Sequence, residues 1–307
     1  MFKLPYIPTA EDLIDKSYRA GAKEAKKARA MGARKRGKEL TGEIRRVERI
    51  SAIIEGDLKA VVKYFPSYEE LPEFHQHLLD LRVKKDRYKK SLATVKWCVQ
   101  RVTSIKNKTL RKLKTTKDTG ESNAFLGRVS SFVKRISKDL DYLIEVKGIL
   151  LSFPVIRDDP TVVVAGIPNA GKSTFVRTLT GSKVKIASYP FTTTEILIGR
   201  KKIRYTDYQI IDSPGLLDRA MEKRNTVELQ AVLALKYLAD VVLFVVEPYE
   251  DIKPQLALLD EIKENFGVKV VVAANDKGEG TPEGYERFNA TDEEDCLKLF
   301  KKCFELK

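Results

Sequence analysis

The run Thr161-Val-Val-Val-Ala165, followed by Gly166-Ile-Pro-Asn-Ala-Gly171-Lys172-Ser173, constrains this chain more than anything else in it. A short uninterrupted apolar run predicts a strand buried on both faces, and the glycine-spaced octet predicts a tight turn into a helix. Such a turn aims backbone N–H groups and the positive end of a helix at an anion. Asn169, Ala170, Gly171, Lys172, Ser173 and Thr174 are therefore the expected cradle for a nucleoside triphosphate. Lys172 is expected to neutralise the β- and γ-phosphates, and the Ser173 hydroxyl to reach magnesium.

The surrounding periodicity fits that site. Thr161 to Gly166, Ile196 to Ile203, Tyr208 to Asp212, Val241 to Val246 and Val268 to Ala274 read as strands. Ser173 to Thr180, Thr226 to Leu238, Ile252 to Phe266 and Asp292 to Phe304 read as helices. Strands alternating with helices predict an α/β domain over 158–307, with a mostly parallel sheet between helices. Residues 1–157 read differently. From Glu11 to about Phe153 apolar residues recur at three- and four-residue spacings, as in Leu78, Leu81, Tyr88, Leu92, Val95 and Val99. Breaks are expected at Tyr64 to Ser67, at Leu71-Pro72 and at Thr115 to Asn123, which predicts an antiparallel bundle of three or four helices.

Two further motifs extend the phosphate site. Ile210-Ile211-Asp212-Ser213-Pro214-Gly215 puts an acid at the end of a second strand, where Asp212 can join the magnesium shell and the Gly215 N–H can sense the γ-phosphate. Between the two lies Tyr189-Pro190-Phe191-Thr192-Thr193-Thr194. Its position suits a switch loop that offers a threonine to magnesium, with Thr193 the first choice and Thr192 the second.

The stretches GIPNAGKSTFVRTLTGSKVKIASYPFTTTEILIG, IIDSPGLLD and RNTVELQAVLAL resemble the Nog family of nucleolar GTP-binding proteins, relatives of the Obg GTPases. The match is specific over residues 161 to about 240 and extends more loosely to a basic helical N-terminal domain. The resemblance implies a GTP- and GDP-binding switch with Mg²⁺ that binds ribosomal RNA during assembly of the large ribosomal subunit. Its partners would be that RNA and the pre-ribosomal particle, and its location cytoplasmic, or nucleolar in a nucleated cell. Leu216 stands where Ras-like enzymes carry a water-positioning glutamine, so hydrolysis is expected to be slow. Asn169 resembles the asparagine through which some relatives hold K⁺ beside the phosphates, although shaping the turn is the first reading of it.

The base side departs from the pattern. Guanine specificity normally rests on N-K-x-D, and this chain has Asn275-Asp276-Lys277-Gly278. Asn275 is in place, Asp276 replaces the lysine and Gly278 replaces the aspartate. Losing a bidentate carboxylate costs on the order of 1 to 3 kcal/mol. Asp276 or Glu279 could substitute, and Ala290 in Asn289-Ala290-Thr291 is the candidate for the last base-side contact. The alternatives are a GTPase that relies on its ribosomal surroundings, and an Obg-like factor of mature ribosomes or tRNA with relaxed or ATP specificity. A scaffold that binds RNA and has lost nucleotide control is a third.

Charge divides the chain as the motifs do. Residues 1–158 hold 36 Lys and Arg against 20 Asp and Glu, whereas 159–307 hold 21 against 23. Lys16 to Leu40 is the densest stretch, with ten basic residues and two acids. It is expected to form a helix only partly interrupted by Gly32 and Gly37. Lys23, Lys26, Lys27, Arg29, Arg34, Lys35, Arg36 and Lys38 are its candidate RNA contacts, binding phosphates without reading sequence. A second basic stretch runs from Lys106 to Lys117. A lipid surface fits poorly, because the segment lacks the Trp, Phe and Leu face that an interfacial helix buries.

Three cysteines, Cys98, Cys296 and Cys303, are too few and too scattered for a disulfide framework or a zinc site, and read as reduced packing residues. His75 and His77 read as exposed helix residues. No apolar run reaches the roughly 18 residues needed to span a bilayer, and the start lacks the apolar core of a signal peptide.

Overall fold

The computed structural model describes residues 3–31, 35–181, 184–190, 195–212, 214–215, 217–218, 226–278 and 284–306, with backbone alone at 31, 35, 36, 227 and 228. The chain divides into two compact units. One comprises Phe2–Leu71 with Val83–Leu151; the other comprises Pro72–Arg82 with Ser152–Lys307.

The first unit is helical: α1 (Ala10–Met31), α2 (Lys35–Tyr64), α4 (Lys85–Thr116), α5 (Gly120–Arg135) and α6 (Ser137–Ser152). Helix α1 starts where the Thr9 hydroxyl accepts from Asp12 N–H at 3.1 Å, satisfying one of the orphan donors of the first turn. It runs antiparallel to α2. Lys16 pairs with Asp57, Gly21 faces Ile50, and Arg29 lies against Gly42 and pairs with Glu43. The approach is close: a Cβ on Gly21 would come within 2.5 Å of Ile50. The expected single helix over Lys16 to Leu40 is therefore two. Met31 ends the first, Lys35 starts the second, and Gly37 sits inside α2 while Gly32 lies outside the described residues. Tyr18 ties α1 to α5, donating to the Leu126 carbonyl at 2.5 Å. The core is apolar, with Leu13, Val47, Ile50, Ile54, Leu58, Val95, Val102, Phe125 and Val133 fully buried.

Two expectations about this half change. The apolar stripe from Leu78 to Val99 spans two helices, because Leu81 caps α3 (Glu73–Asp80) and Lys84 starts α4 in an extended conformation. The break at Thr115 to Asn123 shrinks to Lys117–Thr119, with Lys117 in the left-handed region at φ 56°.

The second unit is a seven-stranded sheet, with strand order β2-β3-β4-β1-β5-β6-β7. The strands are β1 (Thr161–Ala165), β2 (Lys185–Ser188), β3 (Glu195–Ile203), β4 (Thr206–Asp212), β5 (Val241–Val246), β6 (Lys269–Asn275) and β7 (Glu286–Phe288). β4, β1, β5, β6 and β7 are parallel, and β2 and β3 pair antiparallel at one edge. Every residue of β1 and β5 is buried, as a strand covered on both faces must be. The helices are α3, α7 (Lys172–Thr180), α8 (Thr226–Ala234), α9 (Ile252–Phe266) and α10 (Glu293–Cys303). Asp251 and Asp292 cap α9 and α10, and Gly267 closes α9 at φ 64°. The two edge strands, β2 and β7, are the elements that periodicity did not reveal; they are four and three residues long, and β2 is largely exposed.

Helix α3 packs within this second unit although its sequence lies inside the helical half. The Phe74 ring lies 6.3 Å from that of Tyr189, and His77 stacks on Tyr237 at 4.0 Å. His75 is buried between Phe74 and Phe153, not exposed as expected. All three cysteines are free and buried, and burial pushes each thiol up to about 12, so they pack as inert apolar groups.

Candidate nucleotide site

The phosphate cradle forms because two glycines occupy positions no other residue fits. Gly166 leaves β1 at φ 135°, and a Cβ there would lie 2.2 Å from the Val245 carbonyl oxygen. Gly171 enters α7 at φ 96°, where a Cβ would meet the Asn275 amide nitrogen at 2.4 Å. Between them the loop turns through Asn169, exposed and left-handed at φ 63°, a conformation asparagine tolerates better than most residues. Ala170 beneath it is buried.

Lys172 is only 6% exposed, and its ammonium donates to the Gly166 carbonyl at 2.7 Å and the Ile167 carbonyl at 2.6 Å. Burial lowers its pKa, against the opposing pull of the Asp212 and Asp218 carboxylates. The Ser173 hydroxyl donates to Asp212, which is fully buried at the end of β4. The two oxygens that the sequence assigns to magnesium thus come together, from helix and strand, and the donor set is the hard-oxygen kind that Mg²⁺ takes. A cavity of about 410 Å³ opens over these groups, lined by Pro168, Asn169, Gly171, Lys172, Ser173, Thr174, Pro214 and Asp218.

Asp218 was not foreseen. Its carboxylate accepts from the Gly215 N–H at 2.8 Å, the donor expected to sense a γ-phosphate. Its spacing, six residues after Asp212 in Asp-Ser-Pro-Gly-Leu-Leu-Asp, was legible but had no assigned role. Thr192, Thr193, Leu216 and Glu279 lie outside the described residues. Just before that first loop, Tyr189 is fully buried and its hydroxyl donates to the Ala231 carbonyl of α8 at 2.7 Å.

Asn275 joins the base side to the cradle. Its amide donates to the Ala170 carbonyl at 3.2 Å, and its carbonyl oxygen accepts from Ala290 N–H at 3.0 Å. Asp276 N–H donates to the Phe288 carbonyl at 2.8 Å, and its side chain turns back to accept from Gly278 N–H at 2.8 Å. Gly278 itself sits at φ 95°, so an aspartate there would be strained. Lys277 points elsewhere, pairing at 2.5 Å with the buried Glu247. Asp276, Gly278, Arg287, Phe288, Asn289 and Asp295 line a separate hollow of about 260 Å³. Arg287 and Asp295 were not anticipated there, since they lie far from the motif in sequence.

On the helical unit, Lys23, Lys26 and Lys27 are exposed and Lys38 is half-exposed. Arg29 is committed to acids, pairing with Glu39 at 3.1 Å and with the buried Glu43 at 2.5 Å. Lys35 and Arg36 are placed in α2 by backbone only, and Arg34 lies outside the described residues. No helix among the described residues is long and apolar enough to cross a membrane.

Residues 2–157 match the NOG1 N-terminal helical domain and residues 161–276 match the 50S ribosome-binding GTPase domain. The chain is 37% identical to an uncharacterized protein of Methanocaldococcus jannaschii, over 89% of this chain and 79% of that one. It is 32% identical to nucleolar GTP-binding protein 1 of Drosophila melanogaster over 72% of its length, and 33% identical to that of Saccharomyces cerevisiae over 71%. In both cases it spans only 35% of the relative. Among solved structures, the G domain of the Thermotoga maritima FeoB iron transporter is similar over 48% of this chain and 97% of that one, at 27% identity and TM-score 0.40. With the helical-domain match covering half of the sequence and the GTPase match most of the rest, the chain belongs to the family of nucleolar GTP-binding protein 1.

Proposed function

We propose that this protein is a GTP-dependent ribosome-assembly factor: the helical unit holds large-subunit ribosomal RNA, and the sheet unit is a slow GTP switch that times the hold. One observation carries the reading. An intact phosphate and magnesium set, with Lys172 buried on the cradle and Ser173 joined to Asp212, shares a chain with a strongly basic helical unit. Lys172 and the backbone of 169–174 bind the phosphates, Ser173 and Asp212 hold Mg²⁺ with Thr193, and Gly215 reports the γ-phosphate. The metal would supply charge neutralisation between the β- and γ-phosphates. Leu216 carries no side chain able to orient water, so the rate is low. Asn169 shapes the turn through its left-handed backbone.

Co-sedimentation of the chain with ribosomal particles tests the proposal, run with a non-hydrolysable GTP analogue, with GDP and without nucleotide. Association with large-subunit particles that depends on the analogue is expected; equal recovery in all three would defeat the switch.

A second reading, relaxed base specificity, is favoured by the shape of 275–278. With the Asp276 carboxylate turned onto Gly278 N–H, no carboxylate among the described residues stands at the usual guanine-reading position. Isothermal titration with GTP, GDP and ATP decides between them. ATP binding as tight as GTP would establish the relaxed form.

A further inference from the structure

We propose that the face of α4 around Trp97 is a stacking site for an unpaired RNA base, flanked by a track of cations for the strand's phosphates. The inference rests on the RNA-binding reading above and names a place for it that is distinct from the Lys16 to Leu40 segment.

Helix α4 carries eleven Lys and Arg against one acid, Asp86. Lys90, Trp97, Arg101, Lys108 and Arg111 recur at spacings of seven, four, seven and three, which aligns them on one face for about 30 Å. The four cations are exposed, and among the described residues none has a carboxylate partner. Elsewhere on the helix Lys89, Lys106 and Lys112 are tied to Glu69, Glu55 and Glu121. The stripe has therefore kept its charge available, whereas these three have spent theirs on folding.

Trp97 stands half-buried in the middle of the stripe. Phe132 of α5 meets it edge-on, with ring centroids 5.7 Å apart and planes at 83°. The guanidinium carbons of Arg101 and Arg135 lie 5.6 and 5.7 Å from its ring centroid. An indole fixed by an aromatic edge, with two guanidinium groups over it that have no acid partner among the described residues, offers planar surfaces on which any base can stack. Each guanidinium can also accept a phosphate in its fork while remaining near the ring. Arg128, two turns before Arg135 on α5, adds a further exposed cation with no carboxylate partner among the described residues. A lipid surface would require continuous apolar residues, yet Trp97 has Ala93, Thr94, Gln100 and Ser104 as its other neighbours on the face. Duplex RNA would engage the cations but leave the ring idle, because its bases are already stacked.

Trp97 is the only tryptophan of the chain, so its emission reports on this face alone. The full chain is titrated with oligouridylate about twelve nucleotides long, with an RNA duplex of similar length, and with phosphatidylserine vesicles, while anisotropy of labelled RNA reports binding independently. Quenching by the oligouridylate, absent with the duplex, is expected. Trp97→Ala should weaken oligouridylate binding by about tenfold and duplex binding by less than twofold. Arg101→Ala with Arg135→Ala, which keeps the fluorophore, should weaken both RNAs and flatten the salt dependence. RNA binding by anisotropy with unchanged emission and unaffected variants would overturn the site while leaving RNA binding intact. Quenching by the vesicles and not by the oligouridylate, or equally by the duplex, would also overturn it. Absence of any RNA binding at low salt would bring down the broader reading instead.

Discussion

The side-chain amide of Asn275 donates to the carbonyl of Ala170 at 3.2 Å, so the last residue of β6 fastens the phosphate loop from below. Its other end accepts from Ala290 N–H, which makes one buried side chain the clasp between cradle and base side. Asn275→Ala leaves both backbone groups without it, at a cost of about 1 to 3 kcal/mol. GTP and GDP affinities should fall together, by roughly 10- to 100-fold. Titration calorimetry checks this; a variant that binds both as tightly as the parent would contradict the clasp.

Lys172 already spends its ammonium on two loop carbonyls, and its burial means that a phosphate would meet a cation already stripped of most of its water. Lys172→Ala should reduce nucleotide affinity by about 100-fold or more, since charge-assisted contacts are each worth roughly 1.5 to 3 kcal/mol. RNA binding by the helical unit should persist. Loss of both functions together, with the fold intact by circular dichroism, would argue against separate roles.

Asp218 holds the Gly215 N–H that a γ-phosphate would need. A carboxylate and a γ-phosphate compete for that donor, whereas GDP does not reach it. Asp218→Ala should therefore tighten binding of a GTP analogue relative to GDP by about tenfold, the value of one charge-assisted hydrogen bond. The affinity ratio is the quantity to measure, and an unchanged ratio would refute the competition.

His75 sets an acid limit on stability. Burial lowers its imidazole from 6.5 to about 4, opposed by a backbone hydrogen bond at Pro154. Between those values the unfolded chain binds the proton and the folded one does not. Stability is then full above about pH 6.5 and declines as pH falls toward 4, by roughly 3 kcal/mol in all. His75→Leu should remove this part of the acid slope in denaturant titrations from pH 7 to 4. A variant whose slope parallels the parent's would show that the histidine contributes nothing to it.

The cradle was readable in advance because its chemistry is local. Gly166 and Gly171 are needed for backbone reasons, and Lys172 and Ser173 follow them directly. The Ser173 contact with Asp212 was also legible, since a strand end following the P-loop strand has few places to go in a parallel sheet. The fully buried strands β1 and β5 announced themselves by composition. What escaped was non-local or short. β2 and β7 give no period to detect, and Arg287 and Asp295 reach the base side only through the β7 to α10 turn. The pairing of Arg29 was not legible either, because its acids, Glu39 and Glu43, come from the facing helix. His75 looked exposed because nothing in its neighbourhood says that Phe153 will cover it.

Helix α3 leaves the helical unit at Pro72 and returns at Val83, before the chain crosses over for the last time near Ser152. The polypeptide thus passes between the units three times. A fragment begun at residue 158 would lack a wall: Phe74, Leu78 and Leu79 would be gone, and Tyr189 and Tyr237 would stand uncovered where they had been packed. Any recombinant piece meant to behave as the native switch has to carry residues 72–82 with it.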